Sequence, residues 1–213
     1  MNFTAIIDIH THHQDVAPDA ITSFNPWEFA AKPGCLHSVG VHPWDIARAT
    51  MSDYEKLYEL ACRADVALIG ECGIDKLRGG ELSLQVEVVK KHVVLSETLH
   101  KPLLLHCVRA SNELCALKKS MRPLQPWIIH GFRGNAAVAR QLIEAGFFIS
   151  YGEHFNPESL KVVPLERLLA ETDCSAVPIA GICANIASCL GHDTACVMHS
   201  ISSNISHIIQ GNL

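Results

Sequence analysis

The chain has 213 residues, of which 48% are hydrophobic and 18% charged, and its formal charge is −5 with neutral histidine. That balance excludes a disordered tail and a generally basic nucleic-acid coat, so a polyanionic substrate has to be held by a local patch or a metal. The length suits one compact domain over residues 1–213 with a substantial core.

In chain order, residues 3–9 form an apolar strand that runs into His10-Thr11-His12. A loop with Pro18 leads to a short strand over 20–24, and the gap between the two is too short for a normal helix. Residues 36–41 make a third strand, ended by His42-Pro43 because proline cannot donate to a ladder. Apolar residues at Tyr54, Leu57, Tyr58, Leu60 and Ala61 predict a helix over 52–64, capped by Ser52 or Asp53. Residues 66–71 read as a buried strand ending at Glu71. A long helix over 81–100 is expected to turn Leu84, Val88, Leu95 and Leu99 inward. Strands over 102–106 and 127–130 end at His106 and His130, with a helix over 110–121 between them. A helix over 136–145, with Gly146 as its C-cap, precedes a strand over 147–151. A short helix over 157–162, a last strand over 165–173 ending in Asp173, and helices over 179–190 and 193–209 complete the chain.

Such alternation predicts an α/β protein with a parallel sheet, and eight units predict a (β/α)₈ TIM-type barrel with short loops and a reduced first helix. An open doubly wound sheet is the alternative, but no glycine-rich phosphate turn follows the first strand. No basic region followed by an apolar run opens the chain, and no apolar stretch approaches the ~18 residues that span a bilayer. Nine cysteines without a Cys-x-x-Cys pair point to free thiols in a reducing cytosol. A cytoplasmic chain with no membrane contact and no obligatory protein partner is therefore expected.

The chemistry lies in the polar residues that end the strands. Residues i and i+2 of a strand share a face, so His10 and His12 project together. One His-x-His pair is more often structural than metal-binding. In a barrel, however, all C-terminal strand ends meet at one mouth, where His10, His12, Glu71, His106, His130 and Asp173 would converge. Buried carboxylates there are costly without a cation. The set exceeds what one tetrahedral site needs and suits two divalent ions sharing a carboxylate. Glu71 is the natural bridge, with His10, His12 and Asp173 on one ion and His106 and His130 on the other. Zn, Mn, Fe and Co suit these donors, Mg less comfortably.

His42 is expected at the same mouth as a substrate contact. Lys76, Arg109 and Arg133 follow or flank ligand strands, where they are placed to grip phosphate oxygens. Asp75 is assigned to pinning the loop after Glu71. Cys72, Cys107 and Cys174 each follow a ligand and by alternation should face the helices. Among the other histidines, His13, His92, His100, His192, His199 and His207 are expected mostly at the surface, and His154 near the mouth.

Six segments together resemble the TatD family of metal-dependent hydrolases, within the amidohydrolase-like barrel group. They are Asp8-Ile9-His10-Thr11-His12, Gly40-Val41-His42-Pro43, Ile69-Gly70-Glu71-Cys72-Gly73-Ile74-Asp75, Pro102-Leu103-Leu104-Leu105-His106, His130-Gly131-Phe132-Arg133-Gly134 and Glu171-Thr172-Asp173. The resemblance implies a TIM-type barrel, a divalent-metal centre and phosphodiester hydrolysis, commonly 3′-end deoxyribonuclease activity. It carries the ligand roles onto His10, His12, Glu71, His106, His130 and Asp173. Departures lie around the ligands: Gln85-Val86 for Gln-Arg, Cys107-Val108-Arg109-Ala110 for Ser-Arg-Asp-Ala, Gly131-Phe132-Arg133-Gly134 for Cys-Phe-Ser-Gly, and Cys174-Ser175-Ala176 for a small-Pro-Tyr segment.

The expected reaction is in-line attack by a metal-activated water, with Asp173 orienting it and taking its proton. Expected substrates are single-stranded DNA ends, short oligonucleotides or another phosphoester. The alternatives are a phosphomonoesterase of the polymerase-and-histidinol-phosphatase type and a catalytically impaired metal-binding scaffold. A further metal-binding His-Asp cluster, which the first would show, is missing from the sequence, as is the strand-end lysine of cyclic-amide hydrolases.

Overall fold

The computed structural model describes residues 5–15 and 18–210. Eight parallel strands close into a barrel in sequence order, and the pairing of the first with the last seals it. They are β1 (Asp8–Thr11), β2 (Ala20–Phe24), β3 (Leu36–Val39), β4 (Val66–Asp75), β5 (Leu103–Val108), β6 (Trp127–Ile129), β7 (Phe148–Tyr151) and β8 (Leu168–Ala170). Among the described residues, seven α-helices accompany them: α1 (Met51–Ala61), α2 (Leu82–Leu99), α3 (Ser111–Met121), α4 (Ala136–Glu144), α5 (Pro157–Leu160), α6 (Ile179–Leu190) and α7 (Thr194–Gln210). Apart from the end of β5, every strand residue is buried. This is why the strands read as continuous apolar runs: barrel strands are covered on both faces. Each buried leucine or isoleucine in them contributes about 1.5–3 kcal/mol.

The reduced start is as expected. No helix joins β1 to β2 among the described residues, and only a 3-10 turn, Pro26–Glu28, stands between β2 and β3. No helix among the described residues is long and apolar enough to cross a membrane.

Several boundaries differ from the sequence reading. The first strand starts at Asp8 and continues through His10 to Thr11, and residues 3 and 4 of the expected strand lie outside the described residues. β4 does not stop at Glu71. It runs on to Asp75, because Cys72–Asp75 continue pairing with Leu105–Val108 of β5. β8 ends at Ala170, and Asp173 adds only a single bridge to Thr11. Helix α1 starts earlier than expected, because Thr50 and Asp53 form a reciprocal capping box. Of the residues expected on the inner face of α2, Val88 is buried and Leu95 and Leu99 pack against the core, but Leu84 does not. The buried face of the helix is Gln85, Val88, Val89, His92, Val93 and Ser96, whereas Leu84 is exposed. Gln85 and His92 go inside because each finds backbone partners there: Gln85 on the loop after β4, and His92 on Val88 and Val41. His92 is therefore a core residue, contrary to its expected place at the surface.

Candidate metal centre

Two strands that carry candidate ligands are bulged at those residues. Between Asp8 and Thr11, β1 spends one residue more than β2 does between Ala20 and Thr22. Between Ile69 and Cys72, β4 spends one more than β5 does between Leu103 and Leu105. A bulge re-aims side chains locally, and these two contain His10 and Glu71. The approach of β3 to the second bulge is close. A Cβ on Gly40 would stand 2.6 Å from both the Glu71 carbonyl oxygen and the Gly70 Cα, so only glycine fits there.

Glu71 occupies the middle of the cluster and divides its two oxygens. Oε2 lies 3.4 Å from His10 Nε2 and 3.3 Å from His12 Nε2. Oε1 lies 2.6 Å from His130 Nε2, 2.9 Å from His106 Nδ1 and 3.1 Å from His42 Nε2. Asp173 Oδ1 stands 3.7 Å from the Nε2 atoms of both His10 and His12. His10, Glu71 and His130 are buried, His42, His106 and Asp173 are half-buried, and His12 is 43% exposed at the rim.

Asp173 is held by the strand that carries the histidine pair. Its N–H donates to the His10 carbonyl at 3.0 Å, and the His12 N–H donates to its carbonyl, also at 3.0 Å. Its φ is +51°, a left-handed conformation that aspartate tolerates better than most residues. The segment before it is anchored on Asp8, whose carboxylate accepts from the Thr172 N–H, the Thr172 hydroxyl and the His10 N–H. Burial pushes the Asp8 carboxyl up to about 7, in spite of those hydrogen bonds.

The electrostatics follow from burial and neighbours. Burial alone would raise Glu71, but the His130 charge and hydrogen bonds from His106, His12 and His130 hold it well below the usual carboxylate range. Burial and the His130 charge hold His10 neutral. The hydrogen bond to Glu71 raises His12. His130 is raised well above the ordinary value, because Glu71 and Glu171 outweigh its burial.

The residues fit a divalent cation. Both ring nitrogens of His10 are buried without a hydrogen-bond partner, as is Oε2 of Glu171. Buried polar atoms are normally satisfied, and an imidazole with both nitrogens unpaired, facing carboxylate oxygens, has the form of a metal ligand. Among the described residues, four donor groups converge closely enough to hold an ion: His10, His12 and Asp173; His10, Glu71 and His130; His42, Glu71 and His106; His130, Glu171 and Asp173. Mixed imidazole and carboxylate donors suit a borderline divalent metal.

Glu171 was missed by the sequence reading. It is fully buried and its Oε1 lies 3.2 Å from His130 Nδ1, so it orients the ring whose Nε2 faces Glu71. A signal for it was present, since it stands two residues before Asp173 and so has the same strand parity.

The proposed phosphate contacts are spread out. Lys76 is turned to Glu113 of α3, 2.5 Å away, and stays outside the cluster. Arg109 is exposed after β5 and lines neither cleft beside the cluster. Arg133 lines a cavity of about 220 Å³ together with His154, Glu171 and Asp173. A second cavity, about 210 Å³, is lined by His12, His42, Trp44 and Glu71. Asp75 pins its loop by accepting from the Leu77 and Arg78 N–H groups, and its Oδ2 lies 3.4 Å from His106 Nε2. Cys72 is buried against the Leu104 carbonyl, but Cys174 is exposed and lines the Arg133 cavity. The left-handed turn at Asp173 breaks the alternation that would have sent Cys174 toward the helices. A larger cavity of about 730 Å³ lies at the other end of the barrel and contains none of the candidate ligands.

The family model for TatD-related DNases matches residues 20–199. "Uncharacterized metal-dependent hydrolase YabD" of Bacillus subtilis is 30% identical over 146 residues, covering 64% of this chain and 57% of that protein. An "Uncharacterized metal-dependent hydrolase" of Buchnera aphidicola is 33% identical over 159 residues, covering 69% and 60%. The "3'-5' ssDNA/RNA exonuclease TatD" of Klebsiella pneumoniae is 31% identical over 156 residues, covering 66% and 57%. The chain thus matches 57–60% of the length of these relatives. In fold, it is similar to the crystal structure of YJJV, a TatD homolog from Escherichia coli, with a TM-score of 0.84 over 97% of this chain and 98% of that one at 19% identity. With the barrel, the carboxylate-histidine cluster and a family match over most of its length, the chain belongs to the TatD-related DNase family of metal-dependent hydrolases.

Proposed function

We propose that this chain is a divalent-metal-dependent phosphodiesterase acting on single-stranded nucleic-acid ends or short oligonucleotides. The observation that carries the reading is the divided Glu71 carboxylate, one oxygen facing His10 and His12 and the other facing His106 and His130. Such a divided carboxylate could serve two divalent ions at once. His10, His12, Asp173 and Glu71 would hold one, and His106, His130 and Glu71 the other. A bound divalent pair supplies Lewis-acid polarisation of the phosphoryl group and a lowered pKa for the attacking water.

The chain's own groups do the rest. Asp173, at the edge of the cluster, orients the water and takes its proton on the carboxylate. His42 at the rim and Arg133 in the opposite cleft contact the substrate phosphates. Glu171 fixes the His130 ring. The relatives named as single-strand DNA/RNA exonucleases support the substrate class. The net charge of −5 argues against long duplexes, whose binding depends on many phosphate contacts. Nine free cysteines support a reducing, cytoplasmic setting.

The test is metal content together with hydrolysis of bis(p-nitrophenyl) phosphate, p-nitrophenyl phosphate and a short single strand, for wild type and Glu71→Ala. Two equivalents of metal, diester and oligonucleotide turnover, and loss of both in the variant are expected. Turnover of the monoester alone would move the protein to phosphomonoesterases. Bound metal with no turnover of any phosphoester would leave a metal-binding scaffold.

A further inference from the structure

We infer that Trp44 and Arg78 form a nucleobase platform beside the metal centre, so that the site selects a strand end carrying an unpaired base over a bare phosphodiester; this rests on the phosphodiesterase reading above.

Trp44 sits in a 3-10 turn, Pro43–Asp45, directly after His42, and is 45% exposed. Its indole N–H donates to Asp75 Oδ2 at 2.7 Å. The polar atom is thus satisfied and the ring is fixed, while much of its apolar surface stays in solvent. The ring lies next to the cluster: the centroid of His42 is 4.8 Å away at 84°, and that of His106 is 5.8 Å away at 72°. Trp44 also lines the 210 Å³ cleft that reaches His12, His42 and Glu71. A group stacked at Trp44 would place its attached phosphate within reach of those residues.

Arg78 completes the surface. Its guanidinium carbon stands 3.7 Å from the Trp44 ring centroid. Among the described residues, Arg78 forms no ion pair, so its outer plane and charge remain available. Bases stack on aromatic rings and on arginine planes, and they do so with little sequence preference because every base has a π face.

The two loops are locked in place. Asp75 Oδ1 accepts from the N–H groups of Leu77 and Arg78. Gln85, buried at the start of α2, accepts from the Asp75 N–H and donates to the carbonyls of Asp75, Arg78 and Gly80. Gly79, at φ +94°, lies so near Pro43 that a Cβ would stand 2.6 Å from the Pro43 carbonyl oxygen. A purely structural clamp on Asp75 needs only an N–H donor. It does not require an exposed indole with an unpaired arginine stacked on it. Rigid stacking groups also lower the ordering cost of binding.

The test uses metal-loaded protein and short thymidine-tract single strands with phosphorothioate linkages that resist cleavage. One strand ends in a normal 3′ nucleotide and the other in an abasic 3′ residue. Equilibrium affinity is measured for wild type, Trp44→Ala and Trp44→Phe. Wild type is expected to prefer the base-bearing end on the order of ten-fold, the scale of one base–aromatic stack. Trp44→Ala should collapse that preference toward unity, and Trp44→Phe, which keeps a ring but loses the Asp75 bond, should keep most of it. Equal affinity of wild type for both strands, or no binding of either, overturns the platform. Loss of the preference in Trp44→Phe as completely as in Trp44→Ala also overturns it, because the Asp75 bond would then carry the effect. Failure of the phosphodiesterase reading is separate: it shows as no cleavage of unmodified strands by metal-loaded wild type while the base preference in binding persists.

Discussion

Thr172 gives both its backbone N–H and its hydroxyl to the carboxylate of Asp8, at 3.0 and 2.6 Å. The bond ties the segment carrying Glu171 and Asp173 to the strand carrying His10, across the seam that closes the barrel. It adds to the pairing of Asp8 with Ala170 and to the bridge from Thr11 to Asp173, where the Asp173 N–H donates to the His10 carbonyl and the His12 N–H to the Asp173 carbonyl. Asp8→Ala would leave the Thr172 and His10 N–H groups buried without an acceptor, at a cost of about 2–4 kcal/mol. Asp8→Asn keeps an acceptor oxygen and should cost less than half as much. Urea unfolding measures the difference, and metal content should fall in the alanine variant as the Thr172 segment between Glu171 and Asp173 loses its anchor. Equal stability of the two variants would show that the strut does not matter.

Glu171→Gln preserves shape but removes the charge beside His130 Nδ1. Groups that orient a metal-binding histidine typically contribute 10–100-fold to metal affinity. A loss of about that size is expected in competition with a chelator, with the melting temperature of the metal-free protein little changed. Unaltered affinity would mean that His130 needs no orienting partner.

Gly40→Ala places a methyl group against the backbone of Gly70 and Glu71, where neither strand can give way. The cost should reach about 3 kcal/mol. Because the displaced residue is Glu71, metal should be lost in the variant even where it stays folded. Circular dichroism melts and metal analysis together check this. A variant that melts like wild type and keeps its metal would contradict the close packing of β3 on the bulge.

His92 links stability to pH. Its Nδ1–H donates to the Val88 carbonyl at 2.8 Å, and its Nε2 accepts the Val41 N–H at 3.0 Å. Both nitrogens are thus committed in the neutral form. Burial pushes the imidazole down from 6.5 to about 4. The unfolded chain takes up the proton first as pH falls, so the stabilisation is complete above pH 6.5 and is lost on the way down to pH 4. The loss amounts to about 3 kcal/mol. Measured as the difference between wild type and His92→Gln, which cancels the other titrations, the stability gap should narrow by about that amount between pH 7 and pH 4. A gap independent of pH would refute the buried neutral assignment.

The barrel and the members of the cluster were legible in the order of residues, because both depend on local pattern. A strand covered on both faces must be continuously apolar, so His10, His106 and His130 stand out at or near the ends of such runs. What could not be read were tertiary partners and register. The sequence places Leu84 inside α2, but hydrogen bonds to the loop just before the helix turn Gln85 inward and leave Leu84 exposed. It ends the fourth strand at Glu71, whereas pairing with β5 carries it on to Asp75. It treats Lys76 as a free cation, although Glu113 on α3 claims it. It passes over Glu171, whose partner His130 is 41 residues away in the chain. The extra residues in β1 and β4 that aim His10 and Glu71 exist only relative to the neighbouring strands. Periodicity and burial are properties of a single segment, so the chain alone determined which polar residues lie at or near the ends of the apolar runs. Bulge, seam and ion pair are properties of two segments in contact, so only the closed barrel decided how those residues face one another.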